Sequence, residues 1–221
     1  SILIDSDWLD AYLFEIDLEY KIEPPLYNHL NEYIKNMQDK INSFSIIKPK
    51  NSKQEAVFQK RYEISQDCSN FSARDTGIYT RTVPTGGGKT FSSFMFALKH
   101  AKKKSKERIF YVAPYTSIIE QNASAIRKAI NCGDNLLEYH SNIVSDAKED
   151  ANILSDRWNS KLVFTTLVQF LNTLFAPPSG NLRRMISLAN SIIIFDEIQN
   201  IPIHCISLFN SAINFLNKCF N

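Results

Sequence analysis

A chain of 221 residues that is 44% apolar and 22% charged can bury a globular core, and its net charge of +2 indicates no particular partner. The sequence shows no signal peptide and no apolar run near the roughly 20 residues of a membrane span, so no membrane association is expected. No C-x-x-C pair is present, so zinc is not expected, and free thiols in a reducing cytoplasm are favoured for Cys68, Cys132, Cys205 and Cys219.

The first fifty residues are predicted to be a helical segment distinct from the remainder. Residues 1–23 carry seven acids against one lysine, and this charge asymmetry suggests two units. Apolar side chains recur at helical spacing over residues 2–22, two prolines follow, and a second helix is predicted over residues 26–44. Residues 46–53 have the composition of a linker, so the domain boundary is placed near residue 50.

The remainder of the chain alternates between helical and β-rich patterns. A helix is predicted over residues 53–68 and a last one over residues 204–220. Between them, short β-rich runs lie at residues 77–83, 108–114, 135–139, 161–166 and 191–196. Strands at this spacing, with helical patterns between them, predict an α/β fold with βαβ units and a mainly parallel sheet.

A glycine cluster is the first feature that points to chemistry. Residues 82–91 read TVPTGGGKTF, which matches the end of the phosphate-loop pattern G-x-x-x-x-G-K-[ST], although Val83 stands where the first glycine is expected. The cluster follows a predicted strand and opens a predicted helix, so its backbone N–H groups and the helix N-terminus could bind an anion. The alternative is a tight turn followed by an ordinary helix start.

A second feature lies near the end of the chain. SIIIFDEIQN reads as an apolar strand that ends in Asp196 and Glu197. An acid at the end of a strand beside a phosphate loop is how a Walker-B aspartate meets Mg²⁺. The alternative is a strand that ends in solvated acids. Since both motifs occur in order, we predict a nucleotide site with Lys89 on the β- and γ-phosphates and with Thr90 and Asp196 on Mg²⁺.

Two short motifs and several longer blocks carry a resemblance to a known family. PTGGGKT and DEIQ resemble the first and second motifs of superfamily-two helicases. The CRISPR-associated helicase–nuclease of type I interference systems is similar in successive blocks, over about residues 55–215: TVPTGGGKTFSSFMFALKHA, RIFYVAPYTSIIEQNA, LEYHSN, VFTTLVQFLNTLF and SIIIFDEIQNIP. The resemblance implies that residues 51–221 form the RecA-like P-loop domain of a single-stranded-DNA translocase and helicase–nuclease in antiviral defence.

The resemblance also implies roles for individual residues at the nucleotide. Glu197 would polarise the attacking water, and Gln199 would link hydrolysis to DNA contact. Arg61 would lie near the adenine, although an ordinary arginine on a helix surface is an equal alternative. The residues implied to hold ATP and its Mg²⁺ are Thr85, Gly86, Gly87, Gly88, Lys89 and Thr90, together with Asp196.

A further set of residues is implied to contact the DNA backbone. Their hydroxyl groups suit phosphate contact, which needs donors but no base readout. The alternative is that these threonine and serine side chains only cap the helices that follow. The set matches two motifs of the family: Pro114, Tyr115, Thr116 and Ser117 in the first, and Thr165, Thr166 and Gln169 in the second.

The family's nuclease and second motor domain have little or no counterpart in this sequence. The opening LIDSDWLDAY resembles the closing helix of the HD nuclease domain, where Asp7 would be a residual ligand of a divalent transition metal. One ligand cannot hold a catalytic metal, so no nuclease activity is expected from this chain. Without the resemblance, an acid such as Asp7 is most often a solvated helix residue. Without the second RecA-like domain, weak nucleotide binding and no unwinding are expected.

Partners and alternatives follow from the same resemblance. It implies single-stranded DNA, an RNA-guided CRISPR surveillance complex and the second RecA-like domain as partners. Two other functions stay open. The chain could belong to another superfamily-two motor, such as an RNA helicase or a restriction motor, or it could be a binding module that does not hydrolyse ATP. Whether the chain is a fragment or a split gene product also stays open.

Overall fold

The computed structural model describes residues 25–46, 52–83, 86–140, 158, 160–176 and 181–220, and all structural statements concern these residues. The helices are α1 (Leu26–Ile46), α2 (Ser52–Phe71), α3 (Lys89–Lys104), α4 (Thr116–Ile130), α5 (Leu167–Phe175), α6 (Asn181–Ser187) and α7 (Ile206–Cys219). The strands are β1 (Arg108–Ala113), β2 (Leu136–Tyr139), β3 (Leu162–Thr166) and β4 (Ser191–Phe195). Short 3-10 turns lie at Gly133–Asn135, Ile198–Asn200 and Ile203–Cys205.

The four described strands form one sheet in the order β2-β3-β1-β4, and every neighbouring pair is parallel. Parallel neighbours require crossover connections, which the helices between the strands provide. The prediction of an α/β fold with a mainly parallel sheet is confirmed. All four strands also end at the same edge of the sheet, so the segments that follow them come close together.

Helices cover both faces of the sheet, which explains why the central strands β1 and β3 are buried over almost their whole length. Side chains alternate between the two faces along β1: Ile109 and Tyr111 join one core cluster, and Phe110 and Val112 join the other. The first cluster includes buried residues of α1, α3 and α4, and the second includes residues of α5 and α7. The sheet is thereby packed against helices on both faces.

Most predicted elements are present, with ends that differ by a few residues. α1 and α2 match the helices predicted over residues 26–44 and 53–68, and α7 matches the one predicted over residues 204–220. The predicted helix over residues 2–22, most of the predicted linker, and Asp7 lie outside the described residues. The boundary near residue 50 stays a prediction, and α1 contributes Leu26, Leu30, Tyr33, Met37 and Ile41 to the first core cluster.

The strand predicted over residues 77–83 is wrong. This segment has no strand hydrogen bonds, and β4 pairs only with β1 among the described strands. The segment packs on α2 and α3 instead: the Tyr79 ring meets Phe71 edge-on at 5.0 Å, and Arg81 Nη2 donates to Ile64 O at 2.7 Å. A β-rich composition favours a strand only where a neighbouring strand is available for pairing.

None of the helices in the described ranges is both long and apolar enough to span a membrane. The four cysteines are free thiols. Cys132 is buried, and burial raises the pKa of its thiol to about 11, so the thiol stays protonated at neutral pH.

Because His100 is buried, we predict that the protein loses stability in mild acid. Burial lowers the pKa of His100, a hydrogen bond to Ser72 O only partly opposes this, and Lys103, Lys104 and Lys106 lower it further. The neutral ring is therefore favoured in the folded state. The contribution of the neutral His100 ring to the free energy of unfolding is fully present above the unfolded pKa of 6.5. It is lost as the pH falls through the lower pKa of the folded state.

Urea unfolding of the wild-type chain and a His100→Gln variant between about pH 7 and pH 5 checks this prediction. The wild-type free energy of unfolding should fall more steeply with decreasing pH than that of the variant. Equal slopes would show that another group controls the acid sensitivity.

Candidate nucleotide site

The glycine cluster forms a left-handed turn that opens α3. Gly86 and Gly88 have φ angles of +77° and +76°, a region that residues with a Cβ rarely adopt. Helix α3 begins at Lys89, directly after Gly88, so its first N–H groups point toward this turn. A glycine loop followed directly by a helix is therefore present, as predicted, although the segment before the loop is not a strand. Thr85 lies outside the described residues.

The lysine of this loop contacts both predicted acids. Lys89 Nζ lies 2.6 Å from Asp196 Oδ1 and also contacts Glu197 Oε1. Burial by itself lowers the pKa of Lys89, but its hydrogen bonds to Asp196 and Glu197 outweigh burial and raise the pKa above the ordinary value. Lys89 therefore stays protonated. Two motifs more than a hundred residues apart in the chain meet here through the two ion pairs of Lys89.

The end of β4 brings both acids to this position. Asp196 N donates to Val112 O at 2.8 Å, which continues the pairing of β4 with β1 by one residue. Glu197 then adopts a left-handed conformation with φ +53°, which costs energy for a residue other than glycine. Glu197 N donates to Asp196 Oδ1 at 2.9 Å, and Gln199 Nε2 donates to Glu197 Oε2. Gln199 is thus part of the same hydrogen-bonded group.

Two residues that are not among the predicted site residues complete the hydrogen-bonded group around Asp196. Tyr111 of β1 is fully buried and donates its hydroxyl to Asp196 Oδ2 at 2.5 Å. Asn122 of α4 donates to the Tyr111 hydroxyl at 3.1 Å, and Thr90 Oγ1 donates to Asn122 Oδ1 at 3.3 Å. The sequence gives a hint only for Tyr111, which carries a polar group within the apolar run of β1, and this does not reveal which partners it meets.

Arg61 lies beside the glycine loop. Its Nε donates to Gly86 O at 2.6 Å, and its side chain contains the atoms nearest to where a Cβ on Gly86 or Gly88 would lie. The structure therefore brings Arg61 to the loop from α2. Contact with an adenine stays a prediction.

The residues predicted to contact DNA lie at the same sheet edge as the acids. Pro114, Tyr115, Thr116 and Ser117 follow the end of β1, and Tyr115 and Ser117 are exposed. The two threonines at the end of β3 are buried and already hydrogen-bonded within the protein. Thr165 donates to Tyr139 O at 2.9 Å, and Thr166 caps α5 by accepting from Gln169 N at 3.3 Å. Their contact with DNA stays a prediction.

Comparison with known proteins shows the family of the chain. Residues 25–220 match the protein family described as type III restriction enzyme, res subunit. The chain belongs to this family. It is also 26% identical over 198 residues to the CRISPR-associated nuclease/helicase Cas3 of Haloferax volcanii, which covers 78% of this chain but 21% of that protein.

The res-subunit family and this relative together confirm the resemblance to superfamily-two helicases of the Cas3 kind. The chain is therefore a helicase-type motor domain. It spans about a fifth of the length of the Cas3 relative.

The residues of this res-subunit domain fit a magnesium-bound triphosphate. The positive φ angles of Gly86 and Gly88 give the loop a shape that favours glycine, and a Cβ at either position would meet only the Arg61 side chain, at 3.9 and 3.8 Å. The carboxylates of Asp196 and Glu197 already surround a cation, the Lys89 ammonium group. Mg²⁺ binds proteins through one or two carboxylates together with substrate phosphates, and Thr90 and Asp196 are suitable donors.

Other metal sites have no support in the described part of the chain. No group of three or more His, Cys, Asp or Glu side chains lies there in an arrangement that could hold a metal ion. Asp7, the predicted residual ligand of a nuclease metal, is outside that part.

Proposed function

We propose that this chain is the ATP-binding first motor domain of a DNA translocase and helicase–nuclease that acts in CRISPR antiviral defence. The observation that carries the proposal is the meeting of Lys89, at the first turn of α3, with Asp196 and Glu197 at the end of β4. A turn of glycines with left-handed backbone, a helix N-terminus, a lysine and two acids at one point are what a nucleoside triphosphate requires.

Each residue of the site has a role in this proposal. The Gly86–Gly88 backbone and the Lys89 ammonium group bind the phosphates of ATP, and Thr90 and Asp196 hold Mg²⁺. When bound, Mg²⁺ neutralises charge that develops on the phosphates. Glu197 orients the attacking water, and Gln199 holds the Glu197 carboxylate through its hydrogen bond. The chemistry is mainly positioning and electrostatic stabilisation, as for other phosphoryl transfers.

ATP binding first requires a rearrangement of the site. Lys89 is paired with the two acids, so it must leave at least one of them to reach a phosphate. Lys89 would exchange a carboxylate for a phosphate of the triphosphate, and Asp196 would exchange the Lys89 ammonium group for Mg²⁺. Each charged side chain would keep an oppositely charged partner, which limits the free-energy cost of the exchange in a partly buried site.

The wider function involves residues outside the described ranges and partners outside this chain. We propose that residues 51–221 form the motor domain and residues 1–50 the tail of an HD nuclease domain, with Asp7 as a residual ligand of its metal. A second RecA-like domain, single-stranded DNA and an RNA-guided surveillance complex would be the partners, in the cytoplasm. The exposed Tyr115 and Ser117 are the best placed of the predicted DNA contacts.

A second candidate is the motor of a restriction enzyme. The description of the matched family favours it, whereas the Cas3 relative and the longer motif blocks favour the first candidate. Both candidates predict the same nucleotide site, so the site does not separate them.

Nucleotide binding and nucleic-acid stimulation test the proposal at two levels. The 221-residue chain should bind a fluorescent ATP analogue weakly in the presence of Mg²⁺. ATP hydrolysis by the full-length protein should be stimulated by single-stranded DNA and not by RNA. Absence of Mg²⁺-dependent nucleotide binding would refute the nucleotide site, whereas stimulation by RNA alone would refute only the DNA assignment. Stimulation by duplex DNA that requires a specific recognition sequence would favour the restriction motor.

A further inference from the structure

A chain of hydrogen bonds joins the two proposed magnesium ligands through residues with no assigned role. Thr90 Oγ1 donates to Asn122 Oδ1 at 3.3 Å, Asn122 Nδ2 donates to the Tyr111 hydroxyl at 3.1 Å, and Tyr111 donates to Asp196 Oδ2 at 2.5 Å. The chain connects α3, α4, β1 and the end of β4.

The chemistry of the groups allows only one direction for these hydrogen bonds. The Asp196 carboxylate pairs with Lys89 and accepts, so the single hydrogen of the Tyr111 hydroxyl points to it. The Tyr111 oxygen can then only accept, and it accepts from the Asn122 amide nitrogen. The Asn122 carbonyl oxygen is left facing Thr90, where it accepts the hydroxyl hydrogen.

The direction of these hydrogen bonds affects both proposed magnesium ligands, Thr90 and Asp196. The lone pairs of Thr90 Oγ1 are left free for a cation because its hydrogen is directed at Asn122. At the other end, Tyr111 occupies Asp196 Oδ2, so the carboxylate is held with Oδ1 toward Lys89. Groups that orient metal ligands in this way tune affinity even though they do not touch the metal.

We propose that Tyr111 and Asn122 are positioning residues of the nucleotide site, which orient Thr90 and Asp196 for magnesium. The inference rests on the proposed function, since it concerns the same site. Burial also favours the proposal, because the exposed fraction of Tyr111 is 0% and water cannot replace its hydroxyl. At the end where Tyr111 meets Asp196 both residues are buried, and a satisfied polar pair in such a setting favours one arrangement of its members.

The Tyr111→Phe variant isolates the hydroxyl. The Tyr111 ring stacks on Phe164, with centroids 4.9 Å apart and planes at 12°, and phenylalanine keeps this packing. Tyr33→Phe is a matched control, because Tyr33 is also buried and its hydroxyl accepts from an asparagine, Asn135 Nδ2, at 2.8 Å. Both variants remove one hydroxyl from a tyrosine–asparagine pair, but only one of these pairs reaches the site.

The measurement is binding of a fluorescent ATP analogue to the 221-residue chain, titrated with Mg²⁺ and repeated in EDTA, together with the melting temperature of each variant. We expect Tyr111→Phe and Asn122→Ala to raise the half-saturating Mg²⁺ concentration by about 10- to 100-fold. Affinity for the analogue in EDTA should not change, and Tyr33→Phe should behave as wild type in both titrations.

The possible outcomes separate the inference from the proposed function. If the wild-type chain shows no Mg²⁺-dependent binding, the proposed function and the inference both fail. If the wild type shows it and Tyr111→Phe titrates identically, only the inference fails. If Tyr111→Phe weakens binding equally with Mg²⁺ and in EDTA, and lowers the melting temperature more than Tyr33→Phe does, the hydroxyl is structural and the inference is again overturned.

Discussion

Replacing Lys89 with alanine is expected to weaken nucleotide binding by about 10- to 100-fold, the loss of one charged hydrogen bond of about 1.5–3 kcal/mol. Lys89 links the two motifs of the site, since it begins α3 and pairs with Asp196 and Glu197. Titration of a fluorescent ATP analogue into the purified chain, with Mg²⁺ present, measures the effect.

Lys104→Ala is the matched control for this prediction. Lys104 is on the same helix, at its other end, and pairs with the exposed Asp75 at 2.8 Å. An exposed pair of this kind contributes about 0–1 kcal/mol to stability, so the control should bind nucleotide as wild type does. If Lys89→Ala also binds as wild type does, the nucleotide site is wrong. If function in the assembled system also survives, a binding module that does not hydrolyse ATP becomes the better interpretation.

Replacing Glu197 with glutamine is expected to leave ATP binding intact and to lower the hydrolysis rate by about 10²- to 10⁴-fold. Glutamine has nearly the shape of glutamate and can keep the contact with Lys89, but it cannot take a proton from water. The rate is measured as phosphate release by the full-length protein with single-stranded DNA, and binding by the same fluorescent titration as above.

Glu138→Gln serves as the control for this second prediction. Glu138 is a partly buried acid on β2 whose Oε1 lies 2.8 Å from Arg127 Nη1, away from the end of β4. Its replacement should change neither binding nor the maximal rate. A Glu197→Gln protein that hydrolyses ATP at the wild-type rate would show that another group orients the water, and Gln199 would be the first residue to examine next.

The fold could be predicted from the sequence where a pattern is local. Apolar runs such as SIIIF and RIFYVA became β4 and β1 because a strand covered by helices on both faces needs apolar side chains throughout. The run over residues 77–83 is also rich in β-branched and aromatic residues, yet it packs against α2 and α3 without strand pairing. Composition describes what a segment can bury, but pairing depends on which strand edge lies beside it.

The sequence by itself determined the chemical groups of the site: three glycines, a lysine and a threonine at the start of a helix, and two acids at the end of a strand. These are local motifs, because each depends on the backbone of a few successive residues. Only the tertiary structure decided that Tyr111 and Asn122 join Thr90 to Asp196, and that Arg61 reaches the glycine loop. Contacts between distant segments depend on how helices pack across a sheet, and no spacing along the chain records that packing.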